Sequence, residues 1–405
     1  MLIQIAWRNV WRNKTRSMVI VVAVALGLWG GIFSDAFMQG MTEQQIYSSI
    51  HTETGHIQLS QKGFLVNHDM QLNIRSADSI KAVISNIPGV SAVASVTQLS
   101  SMASTSSGSA GIMINGIDPQ QQSKVSDINR QLVTGDYFKS DRANLIVIGQ
   151  QLADKLHVKL HSRIVLTLQT TAGDIVYGAF KIAGIFHTHD SDFDKQMVFV
   201  RKNDLHALTG FPQDAASLVT VLLQNTDDTK KITATIQHKF PGLQVQGWMQ
   251  LSPMLQVLSG TITQMTIIFV AIILIALAFG IVNTMLMAVL DRTHEIGMLL
   301  SIGMRPSKVF TMIMLETIFL SVTGAALGIA ISIGTVSWFG HTGINLSFIA
   351  EGINALGYSS IVYPSLGIDF YLALSVMVVV IALIAGLFPA RHAIRLKPAE
   401  ALRGN

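Results

Sequence analysis

The sequence predicts an α-helical membrane protein with four transmembrane helices and a large α+β extracytoplasmic domain between helices 1 and 2. Three observations carry this. The 405-residue chain is 50% hydrophobic and 13% charged, where an ordinary soluble domain is about 25% charged. Four apolar runs, Met18–Ser34, Met265–Leu290, Thr317–Phe339 and Phe370–Ala390, approach or exceed the roughly 20 residues a helix needs to cross a bilayer core. Between the first and second runs lies a long neutral stretch, residues 41–260, with 17 basic and 17 acidic side chains. The chain has no cysteine, which excludes a disulfide framework, a thiolate metal site and a cysteine nucleophile.

Residues 1–16 predict a cytoplasmic interfacial helix. Ile3, Trp7, Val10 and Trp11 fall on one side of a helical wheel and Arg8, Arg12 and Arg16 on the other, the pattern of a helix lying in the headgroup region. Helix 1 is expected over 17–40. Its basic flank resembles a secretory leader, but the apolar run is long and no small-x-small cleavage site follows, so it reads as an uncleaved anchor. The remaining spans are expected over 261–290, 309–339 and 370–390. The short basic segments fix the topology. Arg8, Arg12, Lys14 and Arg16 precede span 1, Arg292, Arg305 and Lys308 separate spans 2 and 3, and Arg391, Arg395, Lys397 and Arg403 follow span 4, whereas the loop 340–369 has no lysine or arginine. Both termini and the segment 291–308 are therefore expected in the cytoplasm, with 41–260 and the short loop 340–369 on the other side.

The domain 41–260 alternates strand and helix patterns, enough for two subdomains. Strands are expected at His56–Leu59, Val90–Val96, Gly111–Gly116, Leu145–Ile148, Arg163–Gln169, Ala179–Ile185, Met197–Val200 and Val219–Leu223. Helices are expected at Ala77–Asn86, Gln150–Leu156, Lys202–Leu208 and Asp227–Phe240. The tract SSMASTSSGSA reads as a mobile hairpin tip. His187–Asp194, HTHDSDFD, offers two histidines and three aspartates to a divalent metal. On a strand these would split between two faces, and the glycine and distal glutamate of a calcium loop are missing, so a solvated polar loop is expected and no metal site. The chain contains no G-x-x-x-x-G-K-[ST], G-x-S-x-G or H-E-x-x-H, so no catalytic residues are assigned.

The spans carry small residues four apart: Ala23, Gly27 and Gly31; Ala276 and Gly280; Gly324, Gly328 and Ser332; Ala382 and Gly386. Such spacing lets helix backbones approach closely. Asp35 and Glu316 fall at span ends, and no ionisable group falls mid-bilayer, which argues against a proton-coupled pathway. Between spans 2 and 3, DRTHEIGMLLSIGMRPSKV (291–309) is longer and more amphipathic than a plain turn. Ile296, Leu299 and Leu300 would share one face, suited to a groove on a soluble cytoplasmic partner.

That segment resembles the loop after the second span of ABC-transporter permeases of the MacB/FtsX-like superfamily, R-x-x-E-I-G-x-L-x-x-I-G. Here the matching residues are Arg292, Glu295, Ile296, Gly297, Leu299, Ile302 and Gly303. The start A-W-R-N-x-x-R-N-K-x-R (Ala6–Arg16), the stretch I-V-I-G-Q-Q-L-A-D-K-L (Ile146–Leu156) and the end P-A-R-x-A-x-x-L-x-P-x-E-A-L-R (Pro389–Arg403) are similar to the same family. The resemblance covers essentially the whole chain, and its layout is most like the LolC/LolE lipoprotein-releasing permeases.

The resemblance implies a non-catalytic subunit of a bacterial inner membrane transporter. A second permease chain, identical or homologous, pairs with it, and two cytoplasmic ABC ATPase subunits bind ATP and Mg; this chain holds no cofactor. Residues Arg292, Glu295, Ile296, Gly297, Leu299, Leu300, Gly303 and Arg305 would contact the ATPase. A lipoprotein would leave the outer leaflet for a periplasmic carrier, its acyl chains against Phe33, Phe37, Met38, Met41, Met265, Ile268 and Phe269, among membrane lipids and without nucleic acid. The same machine could instead drive MacB-like efflux or peptide export, or act as an FtsX-like scaffold regulating a periplasmic hydrolase.

Overall fold

A computed structural model describes residues 2–12, 14–188, 190–349, 352–353 and 358–395. Asn13, His189, Lys397 and Arg403, and with them most of the C-terminal motif, lie outside the described residues. Along the chain run α1 (Leu2–Arg12), α2 (Lys14–Ser49), β1 (Ile57–Ser60), α3 (Phe64–Asn67), α4 (Ala77–Ser85), β2 (Val90–Ser104) and β3 (Ser109–Ile117). Next come α5 (Pro119–Val125), β4 (Leu132–Gly135), β5 (Leu145–Gly149), α6 (Gln150–Lys155), β6 (Arg163–Gln169), β7 (Ile175–Phe186), α7 (Ser191–Gln196), β8 (Met197–Arg201), α8 (Lys202–Thr209) and β9 (Leu218–Leu223). The rest is α9 (Thr229–Lys239), β10 (Gln244–Gly247), α10 (Trp248–Leu251), α11 (Pro253–Asp291), α12 (Thr293–Ser301), α13 (Pro306–Thr342) and α14 (Ile368–Ile394).

The chain divides into two units, one of Met1–Thr42, Ser259–Asn345 and Ile361–Asn405, the other of Glu43–Leu258 and Leu346–Ser360. The first is helical. Four helices, in α2, α11, α13 and α14, are long and apolar enough to cross a membrane. Val24, Leu28, Ile32, Ile281, Met285, Ile313, Val378 and Ala382 form its buried core. Small residues set the closest approaches. A Cβ on Gly328 would stand 2.8 Å from the Ala25 carbonyl oxygen and one on Gly324 2.7 Å from the Val24 Cβ, so α2 and α13 touch backbone to side chain there. Gly31 meets Ile273 of α11 and Gly386 meets Thr317 of α13 in the same way, whereas Gly27 and Gly280 face open space. Two buried hydroxyls of α13 are satisfied locally: Ser332 donates to the Gly328 carbonyl (2.7 Å) and Thr317 to that of Ile313 (3.0 Å), as expected where water is absent. Gly303, at φ 94°, makes the turn between α12 and α13, a conformation that favours glycine, and Pro306 opens α13 at its first position.

The second unit is built on a ten-stranded sheet in the order β10-β1-β9-β2-β3-β8-β5-β7-β4, with β6 bridging β2 and β7. β2 is the shared strand: Val90–Val96 pairs with β9, and Thr97–Ser104 with β3. β3 with β8 and β5 with β7 are parallel, and the other named pairs are antiparallel. Ile57, Leu59, Val219, Val221 and Val245 pack with Ile84 of α4 and Ile236 of α9. Ile146, Leu166, Phe180 and Val198 form a second cluster with Leu152 and Leu205.

Two expectations change. The tract SSMASTSSGSA is mostly strand: Ser104 pairs with Ser109, leaving only residues 105–108 as the turn. Its small side chains serve close packing, since Ala103 and Ala110 are buried with Leu99 and Ile112. HTHDSDFD is not a solvated loop. Asp190 caps α7, accepting from the amides of Asp192 (2.8 Å) and Phe193 (3.1 Å). Asp194 is fully buried and accepts from His187 Nδ1 (2.8 Å), the Thr188 amide (3.0 Å) and Thr188 Oγ1 (2.7 Å). No metal-binding cluster occurs among the described residues.

Candidate functional site

The segment after the second span folds as α12, lying against α1 and α13. Ile296 and Gly297 are buried, Ile296 in the helical unit's own core with half-buried Leu300 packed against it, while half-buried Leu299 lines a cavity. This changes the sequence reading, in which Ile296, Leu299 and Leu300 offered a free apolar face to a partner: Ile296 and Leu300 pack on the chain's own helices, and Leu299 is half-buried. The outward residues are His294, Glu295, Met298 (46% exposed) and Ile302 (78% exposed), followed by Gly303, Arg305 and Lys308. Two large apolar side chains thus stand in a ring of charged and polar ones.

A ladder of charges fixes α12. Arg12 Nη2 donates to both carboxylate oxygens of Glu295, at 2.5 and 2.7 Å. Arg292 Nε reaches the same carboxylate at 3.2 Å, and its Nη1 reaches Glu316 Oε2 at 3.3 Å. Asn9 Nδ2 closes the far end on Glu316 Oε1 at 2.7 Å. Asn9 and Arg12 lie one turn apart on α1, so one helix face bonds both α12 and α13. The Arg12 hydrogen bond, and then the Arg292 charge, hold the Glu295 carboxyl below its ordinary range; Glu295 in turn raises Arg12 above its own. Glu316 is buried, where an acid is tolerated only when paired. A cavity of about 260 Å³ opens beside the ladder, lined by Ile5, Met285, Met298 and Leu299 among others.

α1 departs from its expected stripe. Ile3, Trp7 and Trp11 are exposed, but Val10 and Ala6 face inward, and Ser17 Oγ donates to the Val10 carbonyl. Trp7 meets Phe319 of α13 edge-on at 5.4 Å. Asn9, Arg12 and Glu316 were missed as site residues. The signal was present: the N-terminal motif sets Asn9 and Arg12 three apart, the spacing that brings both to one neighbour.

The candidate acyl-contact residues separate into two groups. Met265, Ile268 and Phe269 of α11 are exposed, Phe269 by 55%, and so is Met38 of α2. Phe33 instead stacks on Trp29 (6.0 Å) and meets Phe339 edge-on (5.8 Å), and Phe37 and Met41 are half-buried. Asp35 is buried, accepting from Thr266 Oγ1 of α11 and from Gln39 (3.2 Å). It is a tie between two helices rather than an acid at a wet span end.

Two family models match: the FtsX-like permease C-terminal over residues 267–398 and the MacB-like periplasmic core domain over residues 17–239. Lipoprotein-releasing system transmembrane protein LolC of Xylella fastidiosa (strain Temecula1) is 24% identical over 403 residues, covering 96% of this chain and 93% of that one. LolC of Neisseria meningitidis is 21% identical, covering 96% and 94%. Macrolide export ATP-binding/permease protein MacB of Escherichia coli is 29% identical over 186 residues, 45% of this chain and 26% of that one. The crystal structure of the periplasmic region of MacB from Actinobacillus actinomycetemcomitans aligns with 53% of this chain and 98% of its own, at 12% identity and a TM-score of 0.36. With four membrane-length apolar helices and these two models spanning most of its length, the chain is an inner membrane protein and belongs to the MacB/FtsX-like superfamily of ABC-transporter permeases, of the LolC and MacB type.

Proposed function

We propose that the chain relays ATP-driven motion from two separate cytoplasmic ATPase subunits to its extracytoplasmic domain, and so extracts lipoproteins from the outer leaflet of the inner membrane for a periplasmic carrier. The observation that carries the relay is α12. Its apolar side is packed on the chain's own helices, its charges bond α1 and α13, and Met298 and Ile302 face outward. A push on such a helix reaches α1 and the third span through the Arg12–Glu295 and Arg292–Glu316 pairs. ATP and Mg belong to the ATPase partner, and this chain is non-catalytic. A second permease chain, the same or a homologue, completes the pair, with both termini cytoplasmic.

Lipoprotein as cargo is supported by the near full-length similarity to LolC proteins. The exposed Met38, Met265, Ile268 and Phe269 are the proposed acyl contacts, since methionine adapts to variable chains. A second reading, efflux or peptide export, is favoured by the MacB-like core domain and the MacB similarity. A third reading, an FtsX-like scaffold regulating a periplasmic hydrolase, has the FtsX-like permease C-terminal match as its support.

Mass spectrometry on the tagged chain, purified in mild detergent, tests the reading. Co-purified ATPase with triacylated proteins supports lipoprotein release. An ATPase with an export adaptor and no acylated protein favours export. No ATPase contradicts the relay.

A further inference from the structure

On one face of the second unit's sheet an apolar cluster that includes Val96, Phe199 and Leu218 gives way to a group of polar residues. Across β10, β1 and β9, Gln246, Gln58 and Thr220 stand in register. Across β2, β3 and β8, Gln98, Asn115 and Phe199 do the same. The alternate residues, Ile57, Leu59, Val219 and Val245, face the apolar core, so these polar residues share the other side. That side roofs a cavity of about 510 Å³, within the roughly 300–1,000 Å³ range of ligand sites. Gln58, Asn115 and Thr220 are buried despite being polar.

Buried polar atoms are almost always hydrogen-bonded. Here Gln122 Oε1 and Thr52 Oγ1, in lining residues only 8% and 7% exposed, are enclosed in the wall behind the cavity without a partner in the protein. Gln98 Nε2 donates to Asn115 Oδ1 (3.1 Å), and Asn115 Nδ2 finds only the Met197 sulfur, at 3.6 Å. Each carboxamide offers donors and an acceptor like those of a peptide group. Glu53 is the one formally charged side chain among the described lining residues, and burial holds His68 toward its neutral form, so an anionic ligand would find no counter-ion there. Met113, Met197 and Phe193 add apolar, partly adaptable wall between the amides.

We propose that this cavity binds an extended, uncharged stretch of polypeptide, its backbone paired with the carboxamides of Gln58, Gln98 and Gln246 and its side chains lodged against the methionines. A peptide alternates amide groups with variable side chains, and the cavity alternates carboxamides with adaptable apolar surface. The proposal rests on the reading that the cargo is a lipid-anchored protein.

Benzoylphenylalanine incorporated at Val66, 81% exposed at the cavity rim, tests it in the full chain with its partner subunits in native membranes. Irradiation and mass spectrometry should find peptides of another polypeptide attached there, and none at a control position, the exposed Thr235. Gln58→Leu with Gln246→Leu should lower the adduct yield about tenfold, the effect of losing two hydrogen bonds. Gln250→Leu, at an exposed position on the lining, should lower it in the same direction without touching the sheet. Adducts of sugar or lipid alone, or a yield that these variants leave unchanged, overturn the proposal. Acylated proteins co-purifying with no Val66 adduct overturn it while leaving lipoprotein release standing. Polypeptide adducts that carry no lipid support the cavity and overturn lipoprotein release.

Discussion

Arg12 on α1 and Glu295 on α12 stand 283 residues apart in the chain and meet through both carboxylate oxygens, at 2.5 and 2.7 Å. The pair is half-exposed, so its stabilising effect is small. Its value is positional, because it ties the interfacial helix to the helix proposed to receive the ATPase. Glu295→Lys should abolish cargo-stimulated ATP hydrolysis while expression stays intact. Arg12→Ala should lower stimulation by up to about fivefold, with little change in thermal midpoint. The exchange Arg12→Glu with Glu295→Arg should regain only part of it, because it sets a guanidinium beside Arg292 and a carboxylate near Glu316. Turnover assays in nanodiscs read all three.

The glycines predict an asymmetric tolerance. Gly328→Ala would drive a methyl into the Ala25 backbone, and Gly280→Ala meets nothing within 4 Å. The first should destabilise the helical unit by about 1–3 kcal/mol, the cost of overpacking; the second should leave the single chain unchanged. Thermal unfolding in detergent compares them. If Gly280→Ala also disrupts pairing with a second chain in native membranes, the groove beside Gly27 and Gly280 is where that chain sits.

Acid should loosen the second unit through two buried histidines. His56 Nδ1 accepts from the Leu223 amide (3.2 Å), and His206 bonds Thr97 Oγ1 (2.8 Å). Burial, aided by the nearby His51 and Lys202 charges respectively, lowers both pKa values from 6.5 to about 4. Between those values the unfolded chain binds protons that the folded chain refuses, so stability falls as pH drops. From pH 7 to 5 the loss should be at most about 2 kcal/mol per histidine. Hydrogen exchange of β1 and β9 at the two pH values, corrected for intrinsic rates, should show it, and His56→Gln should flatten the dependence.

Asp194 predicts structure rather than metal chemistry. Removing a fully buried carboxylate that accepts from His187 and Thr188 should cost about 2 kcal/mol or more. Asp194→Ala should lower the unfolding midpoint of the second unit, and a chelator should leave that midpoint unchanged in the parent chain.

The acyl-contact proposal separates by exposure. Phe269→Asp should lower cargo release while ATP hydrolysis by the complex persists. Phe33→Ala should instead reduce folded yield, because Phe33 packs between Trp29 and Phe339. Release assays on reconstituted vesicles, beside yield, distinguish the two.

The spans were legible because a bilayer demands long apolar helices, and no local context can disguise Met265–Leu290 or Phe370–Ala390. Arg163–Gln169 was legible for a related reason: its alternation is strict, with Ile164, Leu166 and Leu168 buried. β4, Leu132–Gly135, is largely exposed and carries no such alternation. β10, Gln244–Gly247, turns carboxamides toward a cavity, so polarity hid it. In SSMASTSSGSA, serine and alanine imitated a loop because close strand packing asks for the same small side chains. At the candidate site, the α12 residues were found from their pattern, but not the direction of their apolar face. That direction depends on α1 and α13, and Arg12 and Glu316 join the site only through contacts hundreds of residues or several turns away.

The most direct test of the relay is a single-cysteine cross-link. The chain has no native cysteine, so Ile302→Cys places one thiol on the outward side of α12 without background. Co-expressed with its cognate ATPase, labelled with a short maleimide–diazirine reagent and irradiated, so that the carbene inserts into whatever bond faces the labelled thiol, it should form a permease–ATPase adduct, and ATP should change the yield. Ile296→Cys, buried in the core, should form none. An ATPase that co-purifies yet never cross-links to Ile302→Cys, nor to Met298→Cys, would contradict the assignment of α12 as its contact.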